Sequence, residues 1–133
     1  MQSEHLSNLH LGWVVGGWMI AAAVTAALYV AGAGLGLVSP DASAVLWVGV
    51  SLSGGFFVGG LFVGLRWCDA PILHGAAITL VSAVVWFGVG LLGGAGEVDS
   101  SPVVLGLILL QLVSSSGGGW MGRRVSLGLN KKE

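Results

Sequence analysis

The sequence predicts an all-α, polytopic membrane protein with four transmembrane helices that form two tandem helical hairpins. Of the 133 residues, 55% are hydrophobic and only 8% are charged, whereas soluble domains carry about 25% charged residues. The charged residues leave four long uncharged runs, at residues 5–40, 42–65, 70–96 and 100–122. Each run can hold a membrane-spanning helix, because such a helix needs about 20 mostly apolar residues.

The four predicted spans cover residues 11–38, 44–65, 72–94 and 103–122, and they form one transmembrane domain over residues 1–133 with short tails. Ser39-Pro40-Asp41 has the composition of a turn after the first span. Pro71 stands directly before the third span, where proline favours the start of a helix. Helices are favoured over strands, because a membrane β-strand alternates apolar and polar residues and residues 103–112 are almost all apolar.

The basic residues predict the orientation, because Lys and Arg are retained on the cytoplasmic side of a membrane. All five follow the second or the fourth span, at Arg66, Arg123, Arg124, Lys131 and Lys132. The segments after the first and third spans hold only acidic residues, Asp41, Glu97 and Asp99. An even number of spans puts both termini on one side. We therefore expect a multi-pass protein of the inner cell membrane with both termini in the cytoplasm.

Tryptophans are expected at both membrane boundaries, where their rings lie at the headgroup level. Trp13, Trp67 and Trp120 fall near the inner boundary and Trp47 near the outer one. Trp18 and Trp86 fall deeper in their spans, and we expect both to pack between helices.

An internal repeat emerges when the chain is shifted by 63 positions. Ser51, Gly55 and Gly59 then fall on Ser114, Gly118 and Gly122. The match predicts two copies of a helical hairpin, related by a pseudo-twofold axis along the membrane normal as in parallel repeats.

Small residues spaced four apart lie on one side of a helix and let two backbones approach closely. We therefore expect spans two and four to meet near the pseudo-axis through the two matched faces. A second small-residue face of span two, on a different side of the helix, consists of Ser53, Gly60 and Gly64. Two such faces predict that span two is packed from two directions and lies centrally.

Polar residues inside the spans are few. The central parts contain no Asp, Glu, Lys or Arg, which argues against a proton relay, a voltage sensor and most ion-coupled transport. Gln111 is the most polar side chain well inside a span. We expect it to bond to Thr25, Thr79 or a backbone carbonyl, with a pore-lining role as the alternative.

Candidate ligands for a cofactor are His10 and His74, at the starts of the first and third spans. Two histidines on neighbouring helices can bind haem, a chlorophyll-type pigment or a metal, but interfacial histidines without a cofactor are favoured here. Cys68, Asp69 and His74 lack the spacing of a zinc site. No nucleophile–base constellation is recognisable. The sequence therefore predicts no catalytic residue, no metal, no cofactor and no enzymatic activity.

Two motifs carry a resemblance to a known family. Residues 53–60 read SGGFFVGG, residues 70–76 read APILHGA, and residues 118–124 read GGWMGRR. The chain resembles small uncharacterised prokaryotic four-helix membrane proteins, in which a Gly-Gly-aromatic-x-x-Gly-Arg helix end precedes a Leu-His-Gly helix start. Residues 118–124 match the first motif better than span two, where Gly60 replaces the arginine. The resemblance implies the four-helix fold and no activity.

Two classes of function are compatible with these features. The favoured one is a non-catalytic membrane protein that acts as a structural or accessory subunit, with lipid, other membrane subunits or a second copy as partners. The alternative is a small transporter or channel, in a homo-oligomer, whose path is lined by Ser53, Thr79, Gln111 and Ser115. Nucleic acid is not an expected partner, because five basic residues form no basic stripe.

Overall fold

The protein is a bundle of four long helices. The computed structural model describes residues 9–38, 43–66, 70–92 and 102–129. The helices are α1 (Leu11–Gly34), α2 (Ser43–Arg66), α3 (Pro71–Leu92) and α4 (Pro102–Leu129). Each is long and apolar enough to cross a membrane, and the described ranges contain no strand. The predicted class, an all-helical membrane bundle, is confirmed.

Several residues that the sequence singles out lie outside the described residues. They are the turn residues Ser39, Pro40 and Asp41, the acidic Glu97 and Asp99, the basic Lys131 and Lys132, and Trp67, Cys68 and Asp69.

Helix α1 ends four residues before the predicted end of the first span. Gly36 has a φ of 71°, in the left-handed region that glycine adopts without strain. The N–H of Leu37 donates to the carbonyl of Gly32 at 2.9 Å, and the N–H of Gly36 donates to the carbonyl of Ala33 at 3.1 Å. These two bonds form a Schellman motif, which satisfies the last carbonyls and stops the helix.

Helix α4 continues seven residues beyond the predicted end of the fourth span, to Leu129. Its 28 residues extend over about 42 Å. Arg123 and Arg124 do not end the helix, because arginine is a good helix former. The Arg124 guanidinium lies 4.0 Å from the centre of the Trp120 ring, in a cation–π contact.

Helix α2 is central, as its two small-residue faces predict. It packs against α1, α3 and α4, and its interface with α4 is the largest in the molecule. Helix α3 packs mainly on α4, and α1 and α3 also touch. A small apolar core between α1, α2 and α3 consists of Val14, Ala21, Phe56, Val63 and Ile78.

Helix α3 is packed in the bundle at its N-terminal end and diverges from it towards its C-terminal end. Its buried residues follow helical spacing from Pro71 to Ser82, and every residue of α3 after Ser82 is at least partly exposed. Trp86 is one turn further on the same side, yet 68% of it is exposed. The expectation that Trp86 packs between helices is therefore wrong, because α3 has separated from its neighbours at that level. Trp18 does pack against the core.

Candidate functional site

Glycines let α2 and α4 pack backbone against backbone. A Cβ added to Gly60 would overlap the carbonyl oxygen of Ser115, and one added to Gly64 would overlap that of Gly119. From the other side, Gly118 and Gly122 lie against carbonyl oxygens of α2. Close van der Waals contact of this kind is what holds helices together in lipid.

The first small-residue face of α2 packs against α1 and not against α4. A Cβ at Gly55 would lie 2.5 Å from the carbonyl oxygen of Ala21, and one at Gly59 would lie 2.5 Å from that of Gly17. The expected meeting of the two matched faces is therefore wrong for α2. Gly60 and Gly64 lie about 140° around the helix from Gly55 and Gly59, so each face serves one neighbour and the hairpin partner α1 occupies the first.

Positions matched by the repeat make different contacts. Gly118 and Gly122 of α4 face α2, whereas Gly55 and Gly59 face α1. The shift of 63 positions also places Gly12 on Gly75. Gly75 of α3 abuts the backbone of Ser115 and Ser116, whereas an added Cβ at Gly12 has no neighbour within 4 Å. The two hairpins thus pack in different ways despite the similarity of their sequences.

Hydroxyl groups join α4 to both of its neighbours. Ser115 is fully buried, and its hydroxyl donates to the carbonyl of Gly75 at 2.8 Å. The hydroxyl oxygen of Thr79 lies 3.0 Å from the hydroxyl oxygen of Ser115. Thr79 Oγ1 also lies 3.5 Å from the carbonyl oxygen of Gly75, so the two hydroxyls share one acceptor and either can donate to the other. Ser53 of α2 and Ser114 of α4 form a second pair at 2.9 Å.

Gln111 is buried, with 3% of its surface exposed. Thr25 is not its partner, because Thr25 has no hydrogen-bond partner among the described residues, and Thr79 pairs with Ser115. A bond from Gln111 to a backbone carbonyl stays a prediction. Spacing along one helix does not show which hydroxyls meet, because that depends on how the helices face each other.

His74 is fully buried and both of its ring nitrogens are engaged. Nε2 accepts the backbone N–H of His10 at 3.2 Å, and Nδ1 lies 2.9 Å from the carbonyl oxygen of Ala70. This pattern fits the tautomer that carries its proton on Nδ1. Ala70, directly before α3, has a φ of 50°, a strained value for a residue other than glycine. The bonds tie the start of α1 to the start of α3.

A metal or haem iron at His74 would have to displace one of these two bonds. The described residues contain no group of three His, Cys, Asp or Glu side chains placed to hold a metal ion.

A groove of about 380 Å³ lies between α1, α2 and α3; we call it the α1–α3 groove. It forms because α1 and α3 are in contact near their starts, where Gly17 faces Ile78, and α3 departs after Ser82. Its walls are mainly apolar and aromatic, and its polar side chains include Thr25, Ser51 and Ser82.

Two hydroxyls beside this groove are unsatisfied. Ser51 is only 1% exposed, and neither its oxygen nor that of Thr25 has a hydrogen-bond partner among the described residues. A buried hydroxyl without a partner costs about 1–3 kcal/mol. The indole nitrogen of Trp47, next to Gly32, is also unpartnered.

Sequence reasoning named Ser51 as a packing residue and Thr25 as a polar one, but it missed the groove. No local signal could have located it, because the groove depends on the divergence of α3. Comparisons with protein-family models, curated proteins and solved structures found no significant match to this chain.

Proposed function

We propose that the chain is a non-catalytic integral membrane protein that acts as an accessory subunit of a larger membrane assembly. The observation that carries this proposal is the outer face of α1. At 100° per residue, positions 12, 16, 19, 23, 27, 30 and 34 share one side of the helix. Five of these seven residues are glycine or alanine, at Gly12, Gly16, Ala23, Ala27 and Gly34.

The glycines of this face have open space beside them among the described residues. A Cβ added to Gly12, Gly16 or Gly34 meets nothing within 4 Å. Small residues on a helix surface allow a second helix to approach closely, as Gly17 does towards Gly59 inside this molecule. The outer face of α1 therefore suits a transmembrane helix of another subunit or of a second copy.

The transport alternative has less support from the packing. Three of its four path residues, Ser53, Thr79 and Ser115, form hydrogen bonds between helices. A polar path along them would have to break the bonds that join α4 to its neighbours.

Extraction in a mild detergent followed by mass spectrometry of the accompanying chains tests the subunit role. Gly16→Leu and Ala23→Leu should release the partner, because the added side chains separate the two backbones. Val113→Leu is the control, since Val113 is 70% exposed and lies on the outside of α4. Unchanged association in both α1 variants would refute the proposed face. Substrate-selective flux in liposomes would favour the transporter.

We also propose that both termini lie in the cytoplasm, with the chain in the inner membrane. The support is that Arg66 and Arg123 lie at one end of the bundle, since Gly122 packs beside Leu65, and basic residues stay on the cytoplasmic side. A fluorescent protein fused after Leu129 should fluoresce, and alkaline phosphatase at that position should be inactive. The opposite result would reverse the orientation.

A further inference from the structure

The α1–α3 groove combines apolar walls with two buried hydroxyls, those of Ser51 and Thr25, for which the described part of the chain offers no hydrogen-bond partner. We propose that it binds an uncharged, largely apolar small molecule whose carbonyl oxygen belongs to a quinone ring. The binding site is distinct from the outer face of α1, and it does not depend on the subunit role.

The hydroxyls define the chemistry of the ligand. Ser51 and Thr25 line the groove, and each can donate its proton to an acceptor on the ligand. Ser51 turns about a single side-chain bond with three staggered positions, so its hydroxyl can reach an acceptor at the groove floor. The described lining residues include no Asp, Glu, Lys or Arg. A charged ligand would therefore lose its hydration without gaining an ion pair.

The shape of the groove favours a small molecule over a helix. It extends along α1 from Trp18 to Tyr29, a length of about 17 Å, which is much shorter than the hydrocarbon core of about 30 Å. Contact between Gly17 and Ile78 closes the groove at the end where Trp18 lies. A membrane-spanning helix therefore cannot lie along the groove. Its volume of about 380 Å³ is within the range of small-molecule pockets.

Aromatic side chains flank the groove and add a preference for flat groups. Trp18 and Tyr29 lie on α1, and Trp86 lies on α3. Rings of this kind stack with a planar ligand or pack against an acyl chain. The outward position of Trp86 is thereby explained as part of a binding wall.

The test uses the full-length protein in nanodiscs and a decyl-substituted benzoquinone as the probe. Quinone binding should quench tryptophan fluorescence saturably, because Trp18 and Trp86 line the groove. Ser51→Ala and Thr25→Val should each weaken the affinity roughly fivefold, the value of one neutral hydrogen bond. The same variants should raise the melting temperature of the ligand-free protein, since they remove an unsatisfied buried group.

Ser53→Ala is the matched control, on the same helix but bonded to Ser114 of α4. It should lower the melting temperature and leave quinone affinity unchanged. This opposite pattern separates a binding role from a merely structural one. Quenching that does not saturate, or that is equal in all variants, would overturn the proposal.

Competition identifies the source of the carbonyl. A diacylglycerol should not displace the quinone, and displacement would show that a neutral lipid ester occupies the groove and would refute the proposal. Ala22→Phe should fill the groove and abolish saturable quenching. A changed oligomeric mass in Ala22→Phe, together with no quinone binding to the native protein, would show that a second copy occupies the groove and would refute the proposal.

Discussion

Individual glycines differ in what they do, although 24 of them occur in the chain. Gly60 and Gly117 both lie inside transmembrane helices. The space next to Gly60 is filled by the backbone of Ser115, whereas an added Cβ at Gly117 meets nothing within 4 Å. The sequence distinguishes the two only by spacing, because Gly60 and Gly64 form a face four residues apart, whereas Gly117 lies in an unbroken run of small residues, 114–119.

Substitution by alanine should separate these two glycines. Gly60→Ala is expected to destabilise the protein by about 1–3 kcal/mol, because the new methyl group forces two backbones apart. Gly117→Ala should be neutral or stabilising by up to about 1 kcal/mol, the gain in helix propensity. Thermal unfolding in one detergent measures both. Equal effects would show that the α2–α4 contact is looser than described.

His74 joins the starts of two helices, because its ring accepts a hydrogen bond from the backbone of His10. His74→Leu keeps the size of the side chain but loses both bonds, and we expect a loss of about 1–3 kcal/mol. Hydrogen exchange should accelerate in the first turn of α1, from Leu11 to Val14. Ile72→Leu, at an exposed position nearby, is the control. Unchanged exchange in His74→Leu would mean that apolar packing alone holds this end.

The positions of the helices are predicted from the sequence more successfully than the contacts between them. Apolar length predicts all four, because lipid leaves a spanning backbone no partner but itself. The end of α1 could also have been read from the sequence, since Gly36 is followed by an apolar residue in the pattern of a helix stop. The divergence of α3 could not have been predicted in this way. The apolar residues of α3 continue past Ser82, although the other helices no longer pack against it there.

Helix faces are predicted less well than helix positions. Both small-residue faces of α2 were recognisable from their spacing, and both are used. The repeat predicts α4 as the partner of the first face, because it treats Gly55 and Gly118 as equivalent. The choice of neighbour depends on the path of the whole chain, and spacing within one helix carries no information on that path.

The whole molecule is held together by the central α2–α4 pair, which joins the two hairpins. Residues 1–68 and 69–133, expressed as separate chains, should therefore associate in the membrane and copurify. Gly118→Leu should prevent association, because the side chain would meet the carbonyl oxygen of Phe57. Gly106→Leu is the control, since its surroundings are open. Failure of the native halves to copurify would show that the connection between α2 and α3 is needed for assembly.

The separation of α1 and α3 has a consequence for access. Helix α4 takes no part in the groove walls, so the opening is on the flank of the bundle and faces the acyl chains. A molecule that enters there arrives sideways from the bilayer and never crosses water. Occupancy then follows the mole fraction of that molecule among the lipids, and the surrounding membrane acts as its reservoir.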